Sequence, residues 1–279
     1  MFTLNCKGKL LMVDKPLVMG IINATPDSFY EGSRFAATDK ILSQAKKMIV
    51  EGADIIDIGG QSTRPGSEAV SEEEELKRVI DAIEAIHHHF PNTVISIDTY
   101  YSAVAKKSIQ AGASVVNDIS AGDIDKQMIP TVAYLQTPYI AMHMKGTPAT
   151  MQQNLKYDNV IREVIDFFIR KKDDCKKTGI HDVIIDPGFG FSKTINHNLE
   201  LLNSLSAFKM LDAPILVGVS RKSSIYKTLG LTADEALNGT TVLNTIALIN
   251  GANILRVHDV KEAKEVIKLW SMVRESSNQ

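Results

Sequence analysis

Apolar residues in this chain gather in short, β-branched-rich runs separated by longer stretches of helical spacing. The runs are Leu17–Ile22, Ile55–Ile58, Val94–Ile97, Ser114–Val116, Tyr139–Met142, Val183–Ile185, Ile215–Val219 and Ile254–Val257. Runs so short and so uniformly apolar read as strands buried on both faces. Between them, Ile41, Leu42, Ala45, Met48 and Ile49, or Leu76, Val79, Ile80, Ile83 and Ile86, repeat with the period of an amphipathic helix.

Boundaries are marked as well. Ser71 followed by Glu74 forms a capping-box pattern, and Asp259 is placed to cap a last helix running through Trp270. Gly52-Ala53, Gly112-Ala113 and Gly251-Ala252 repeat one helix-to-strand joint, in which glycine takes the left-handed position after the helix. Strict alternation without a linker leaves an open doubly wound sheet or a closed barrel, and eight strand runs favour a single (β/α)8 TIM barrel over 1–279. Each βα unit then averages about 35 residues, and about 1–15 form a short N-terminal lead-in.

Composition narrows the classes. With 279 residues, 44% hydrophobic and 23% charged, the chain can bury a large core and is not disordered or fibrous. A net charge of −2 removes the broad basic face expected for nucleic acid or anionic membrane, so any anion is held by a local cluster. Cys6 and Cys175 lack metal or disulfide spacing, and no segment has the length of a membrane span; a cytoplasmic protein is expected.

In a barrel the working face lies at the C-terminal strand ends. There stand Asn23, Asp57 leading to Thr63 and Arg64, Asp98, Asn117-Asp118, His143, Asp186, Ser220-Arg221-Lys222, and Arg256 with His258. Any one of these could be a cap or a solvated loop residue. Together they divide into acids and amides (Asp98, Asn117, Asp186) and cations (Arg64, Arg221, Lys222, Arg256, with His258). The first set suits an N–H-rich heterocycle and the second a phosphate. The glycine-containing loops 24–34 and 59–67 have the length of lids.

Met19-Gly20-Ile21-Ile22-Asn23-Ala24-Thr25-Pro26-Asp27-Ser28-Phe29, Asp57-Ile58-Gly59-Gly60-Gln61-Ser62-Thr63-Arg64-Pro65-Gly66, Asp186-Pro187-Gly188-Phe189-Gly190-Phe191 and Ser220-Arg221-Lys222 resemble the signatures of the dihydropteroate synthase family. Ser96–Thr99, Asn117–Ile119 and Arg256–His258 extend the resemblance over nearly the whole chain. It implies a (β/α)8 barrel that joins 6-hydroxymethyl-7,8-dihydropterin pyrophosphate to p-aminobenzoate, releasing pyrophosphate and giving 7,8-dihydropteroate for folate synthesis. It also implies two small-molecule substrates, Mg²⁺, sulfonamide inhibition and a homodimer, with no nucleic-acid or membrane partner.

Carried over by position, the resemblance makes Asp98, Asn117, Asp186 and Lys222 the pterin-binding set. Asn23 would ligate Mg²⁺, which prefers oxygen ligands and keeps several waters. Arg64, Arg256 and His258 would hold pyrophosphate, with Thr63 and Ser220 nearby. Phe29, Arg64, Pro65, Phe191, Lys222 and Ser220 would shape the p-aminobenzoate pocket. One departure lies at Tyr30-Glu31-Gly32-Ser33, where the family usually has Ser-Asp-Gly-Gly.

Other readings compete. Lys222 alone could form a Schiff base if Arg221 depressed its pKa. A methyltetrahydrofolate-binding methyltransferase shares the barrel and pocket but has no pyrophosphate to clamp, and a non-catalytic pterin-binding barrel would bind without turnover. Gly188–Thr194 only superficially suggests a phosphate loop. His87-His88-His89 points around a helix end rather than to one metal, Glu72–Glu75 reads as first-turn acids, and Trp270 reads as packing.

Overall fold

The computed structural model describes residues 1–24, 34–61, 70–153 and 155–276. The lead-in is itself structured: β1 (Phe2–Cys6) and β2 (Lys9–Val13) form an antiparallel hairpin. Lys7 and Gly8 both take positive φ, as a two-residue hairpin turn requires, and the Gly8 N–H donates to Asn5 Oδ1 at 2.7 Å.

Eight parallel strands follow, each at a run expected from the sequence: β3 (Leu17–Asn23), β4 (Ile55–Gly59), β5 (Val94–Asp98), β6 (Val115–Asp118), β7 (Tyr139–Met142), β8 (Val183–Asp186), β9 (Leu216–Val217) and β10 (Ile254–Val257). They pair in the order β8-β7-β6-β5-β4-β3-β10-β9. Ile185 bridges Ile215, and the Ile185 N–H reaches Pro214 O at 3.0 Å, closing the ring between β8 and β9. Around it lie α1 (Arg34–Val50), α2 (Glu72–His89), α3 (Ser102–Ala111), α4 (Met128–Leu135), α5 (Val160–Thr178), α6 (Ile195–Asn203), α7 (Ser223–Leu229), α8 (Leu237–Ile249) and α9 (Val260–Ser276).

Alternation along the strands sorts most of their apolar residues into two separate clusters. Val18, Ile56, Ile58, Ile95, Ile97, Val116, Ile185, Val217 and Leu255 face the helices. Met19, Ile55, Val94, Val115, Ile140, Ile184, Leu216 and Ile254 face the axis and pack on Leu4, Cys6 and Val13 of the hairpin. The hairpin is therefore a plug for the bottom of the barrel, and everything above that apolar layer opens toward the C-terminal face.

The glycine joints form as expected. In each, the N–H after glycine bonds back five residues: Ala53 to Met48, Ala113 to Ser108 and Ala252 to Ala247, at 2.9–3.0 Å. Gly179-Ile180 makes a fourth, with Ile180 N–H on Cys175 O. Two caps differ from expectation. Ser71 Oγ accepts the Glu74 N–H, but the Glu74 carboxylate takes Arg78, so the capping box is half formed. Asp259 stands before α9, yet its carboxylate is engaged by Arg221. Trp270 packs on the core, with Arg274 over its ring. Among the described residues no helix is long and apolar enough to cross a membrane.

Candidate active site

Stepping two residues up each strand from the plug layer replaces apolar side chains by polar ones at the same inward positions. Ile55 leads to Asp57, Val94 to Ser96 and Asp98, Val115 to Asn117, Ile184 to Asp186, and Ile254 to Arg256 and His258. Register places Asn23, Gly59, Asp98 and Asn117 in one row across β3–β6. Three acids, two basic side chains and two amides thus crowd a mouth whose floor and walls are apolar.

Arg256 is the centre of that crowd. Its Nε donates to Asp57 Oδ2 at 2.7 Å, and its Nη2 reaches Asp57 Oδ2 and Asp98 Oδ2, each at 2.6 Å. Asn117 Nδ2 donates to the same Asp57 oxygen at 3.2 Å. Burial pushes the Asp98 carboxyl up to about 7, against the pull of Arg256. Burial lowers the Arg256 pKa, but Asp57 and Asp98 outweigh it and hold the guanidinium above its ordinary value.

Asp186 ends β8 and accepts the Gly188 N–H on Oδ1 at 2.8 Å; its other oxygen accepts no hydrogen bond among the described residues. Lys222 Nζ lies 4.3 Å from the centre of the Phe191 ring. Burial, then the Arg256 charge, pushes the Lys222 pKa down to about 8. Ser220 Oγ lies 3.0 Å from His258 Nδ1 and accepts the His258 N–H at 3.2 Å, tying β9 to β10. Although His258 is partly open at the mouth, desolvation of its ring and the Arg256 charge lower its pKa to about 4. Both effects favour the neutral ring.

The structure therefore brings together Asp98, Asn117, Asp186, Phe191, Ser220, Lys222, Arg256 and His258, with Asn23 on the rim. Phe29, Thr63, Arg64, Pro65 and the departure at 30–33 lie outside the described residues, as do both lid loops in large part. Arg221 does not join the site. At φ +53 its backbone turns the side chain away, where Asp259 grips Nε and Nη2 at 3.0 and 2.8 Å. It is Arg256, not Arg221, whose charge bears on Lys222. His143 is buried beneath the mouth, against Lys193.

Two groups carry roles that the sequence does not assign. Asp57 stands among the strand-end polar residues without a part in binding; at 0% exposed it is an inward buried carboxylate, as a charged residue between isoleucines signals. Glu75 reads from the sequence as one of four first-turn acids. It lies in that turn but is buried, accepts from Gln61 Nε2 at 3.0 Å, and Gln61 in turn accepts from Tyr100 OH at 2.8 Å.

Comparison with known proteins agrees with this geometry. Residues 19–258 match the model of the pterin binding enzyme family. A dihydropteroate synthase of Haemophilus influenzae is 41% identical over 96% of this chain and 97% of its own length.

The chain belongs to the dihydropteroate synthase family.

Solved dihydropteroate synthases superpose closely. The Xanthomonas albilineans enzyme, determined with 4-aminobenzoic acid, is 37% identical with a TM-score of 0.91 over 98% of both chains. The Yersinia pestis enzyme, in a sulfonamide drug complex, is 39% identical with a TM-score of 0.92, covering 98% of this chain and all of the other.

Proposed function

We infer that this protein condenses 6-hydroxymethyl-7,8-dihydropterin pyrophosphate with p-aminobenzoate to give 7,8-dihydropteroate and pyrophosphate. The observation that carries the reading is the inward set Asp98, Asn117 and Asp186 beside Lys222 and Arg256, acceptors for a pterin ring next to cations for its pyrophosphate.

Asp186 presents its second oxygen to ring N–H groups while Gly188 fixes the first. Lys222 donates to ring acceptors in its ammonium form, and Asn117 and Asp98 complete the edge. Arg256, anchored by Asp57, faces the leaving group, and His258 adds an N–H donor. The substitution at the pterin methylene is dissociative: the C–O bond to pyrophosphate breaks, the electron-rich ring stabilises the carbon, and the neutral arylamine forms the C–N bond before losing a proton to solvent. No strong general base is required, so positioning and leaving-group stabilisation carry the rate.

Mg²⁺ fits the donor set. Among the described residues no cluster of three or more His, Cys, Asp or Glu could hold a metal, whereas the exposed Asn23 offers a single oxygen at the rim. That suits an ion completed by pyrophosphate oxygens and water, which would neutralise charge on the leaving group. A homodimer is supported by the exposed apolar residues Val242 and Ile249 on α8 with Leu269 and Met272 on the adjoining α9. A cytoplasmic setting is supported by two buried, unpaired thiols.

Pyrophosphate release measured with the dihydropterin pyrophosphate, with and without p-aminobenzoate and Mg²⁺, tests the reading. Release that requires the full mixture supports it, and no release in the full mixture overturns it.

A further inference from the structure

Lys193 has no part in the site described above, yet it is only 4% exposed. Its Nζ lies 2.9 Å from His143 Nδ1, 3.1 Å from Gly188 O, 3.1 Å from Phe191 O and 3.2 Å from His143 O. Four acceptors thus surround three N–H donors, and none of them is a carboxylate. An ammonium buried without a contacting counter-ion is costlier than an apolar side chain of similar volume would be.

What those contacts hold is the turn after β8. Gly188 donates its N–H to Asp186 Oδ1, while its carbonyl accepts both the Phe191 N–H and Lys193. The turn has no slack: Gly188 has φ +74, and a Cβ there would stand 2.0 Å from His143 O. Phe191, whose carbonyl Lys193 also holds, carries the ring beneath the Lys222 ammonium. One buried side chain therefore ties down the backbone that orients both Asp186 and Lys222.

Its charge faces the same way. Among the groups around Lys193, Asp186 is the acid that opposes the burial penalty, while Lys145, paired with Glu163 of α5, and Lys222 repel it. His143, from the end of β7, is kept neutral by burial and by Lys193, so its Nδ1 accepts. Around Asp186, burial raises the pKa, and the Gly188 N–H, Lys222, Arg256 and Lys193 counter it.

We propose that Lys193 is a positioning residue for the reaction, its buried ammonium fixing the Gly188–Phe191 turn and keeping the Asp186 carboxylate ionised to accept from the pterin ring. This rests on the pterin reading of the Asp186 site. Burial pushes the Lys193 pKa down to about 7, so the ammonium prevails on the acid side, where Asp186 needs it.

The direction of the pH effect follows. Pterin binding uses ionised Asp186 and weakens as pH falls through its pKa. Removing the Lys193 charge raises that pKa and moves the acid limb to higher pH. Asp98 adds an acid limb of its own to every variant, so the informative quantity is the shift between variants.

The test is equilibrium binding of 6-hydroxymethyl-7,8-dihydropterin pyrophosphate to the full chain from about pH 4.5 to 9, beginning near the ordinary carboxylate range. Variants are Lys193→Met, Lys193→Gln, which keeps a donor without charge, and Lys193→Arg, which keeps the charge. On the acid limb the neutral variants are expected to bind ~10-fold or more weakly than wild type, with the deficit shrinking as pH rises past that limb, as a tenfold effect per pKa unit implies. The arginine variant keeps the wild-type acid limb whatever its affinity.

A loss of affinity equal at all pH values, or no loss, would overturn the proposal. So would an arginine variant whose acid limb moves with that of glutamine. If the methionine variant does not fold, the glutamine and arginine pair decides alone. Failure of the wild-type chain to bind the pterin substrate would instead sink the functional reading.

Discussion

Arg256 on β10 donates from Nε to Asp57 Oδ2 on β4 at 2.7 Å, so the guanidinium at the barrel mouth is anchored by a carboxylate that no solvent reaches. Asp57 Oδ2 also takes Asn117. One buried oxygen thus sets the orientation of a side chain assigned to pyrophosphate and of another assigned to the ring. Replacing Asp57 by Asn keeps the volume and removes the charge. We expect kcat/KM for the pterin substrate to fall ~10–100-fold through lost orientation and charge assistance. Steady-state kinetics beside a thermal melt checks this, and an unchanged kcat/KM would show Asp57 to be packing alone.

Arg256→Ala removes the cation and leaves Asp57 and Asp98 facing each other. Pyrophosphate release under saturating substrates is expected to drop ~100-fold or more, the scale of losing a principal stabiliser of developing charge. Near-normal release in that variant would contradict the assigned division of labour.

Lys222 binds as an ammonium, and its pKa is lowered to about 8 by burial and then Arg256. The charged form exists below that value, so kcat/KM for the pterin substrate should decline as pH rises through about 8. Lys222→Arg should lose that alkaline limb, since a guanidinium stays charged. A profile flat to well above pH 9 in the wild-type chain would rule out the ammonium role assigned to Lys222.

Glu75 reports on stability. Burial raises its pKa to about 8, so between its unfolded value and that point the folded state binds a proton the unfolded chain lacks. Folding is penalised by ~1.4 kcal/mol for each pH unit across that window, then no further above about pH 8. Glu75→Gln, which retains a partner for Gln61, should be ~2–4 kcal/mol more stable at pH 7 and converge with wild type below about pH 4. Urea unfolding at both pH values provides the comparison.

Sulfonamides are expected to inhibit competitively with p-aminobenzoate. Initial rates across a grid of both compounds would show a rise in the apparent KM for p-aminobenzoate with kcat unchanged; full activity at high sulfonamide would contradict it.

The eight strands were legible because parallel strands covered on both faces must be apolar almost throughout, and each run from Leu17–Ile22 to Ile254–Val257 obeyed that constraint. The joints at Gly52, Gly112 and Gly251 were legible because a left-handed helix end selects glycine locally. The plug hairpin was not: Phe2–Val13 alternates weakly, and only the open bottom of a closed barrel gives Leu4, Cys6 and Val13 somewhere to go.

Of the polar strand-end residues, Asp98, Asn117, Asp186, Lys222 and Arg256 gather in one mouth, since strand ends in a barrel share one face. Its internal wiring was not readable. Arg221 and Arg256 are equally basic in the sequence, but a positive φ and Asp259 draw the first away while Asp57 and Asp98 hold the second inside. Glu75 is indistinguishable from Glu74 until α2 packs on β4 and buries one side of its first turn.

By itself, then, the sequence determined what local physics can decide: where strands and helices begin and end, and which chemistry collects at the strand ends. The tertiary structure alone decided which charges face one another. Burial, desolvation and ion pairing depend on groups such as Arg256 and Asp57, 199 residues apart in the chain and 2.7 Å apart in space.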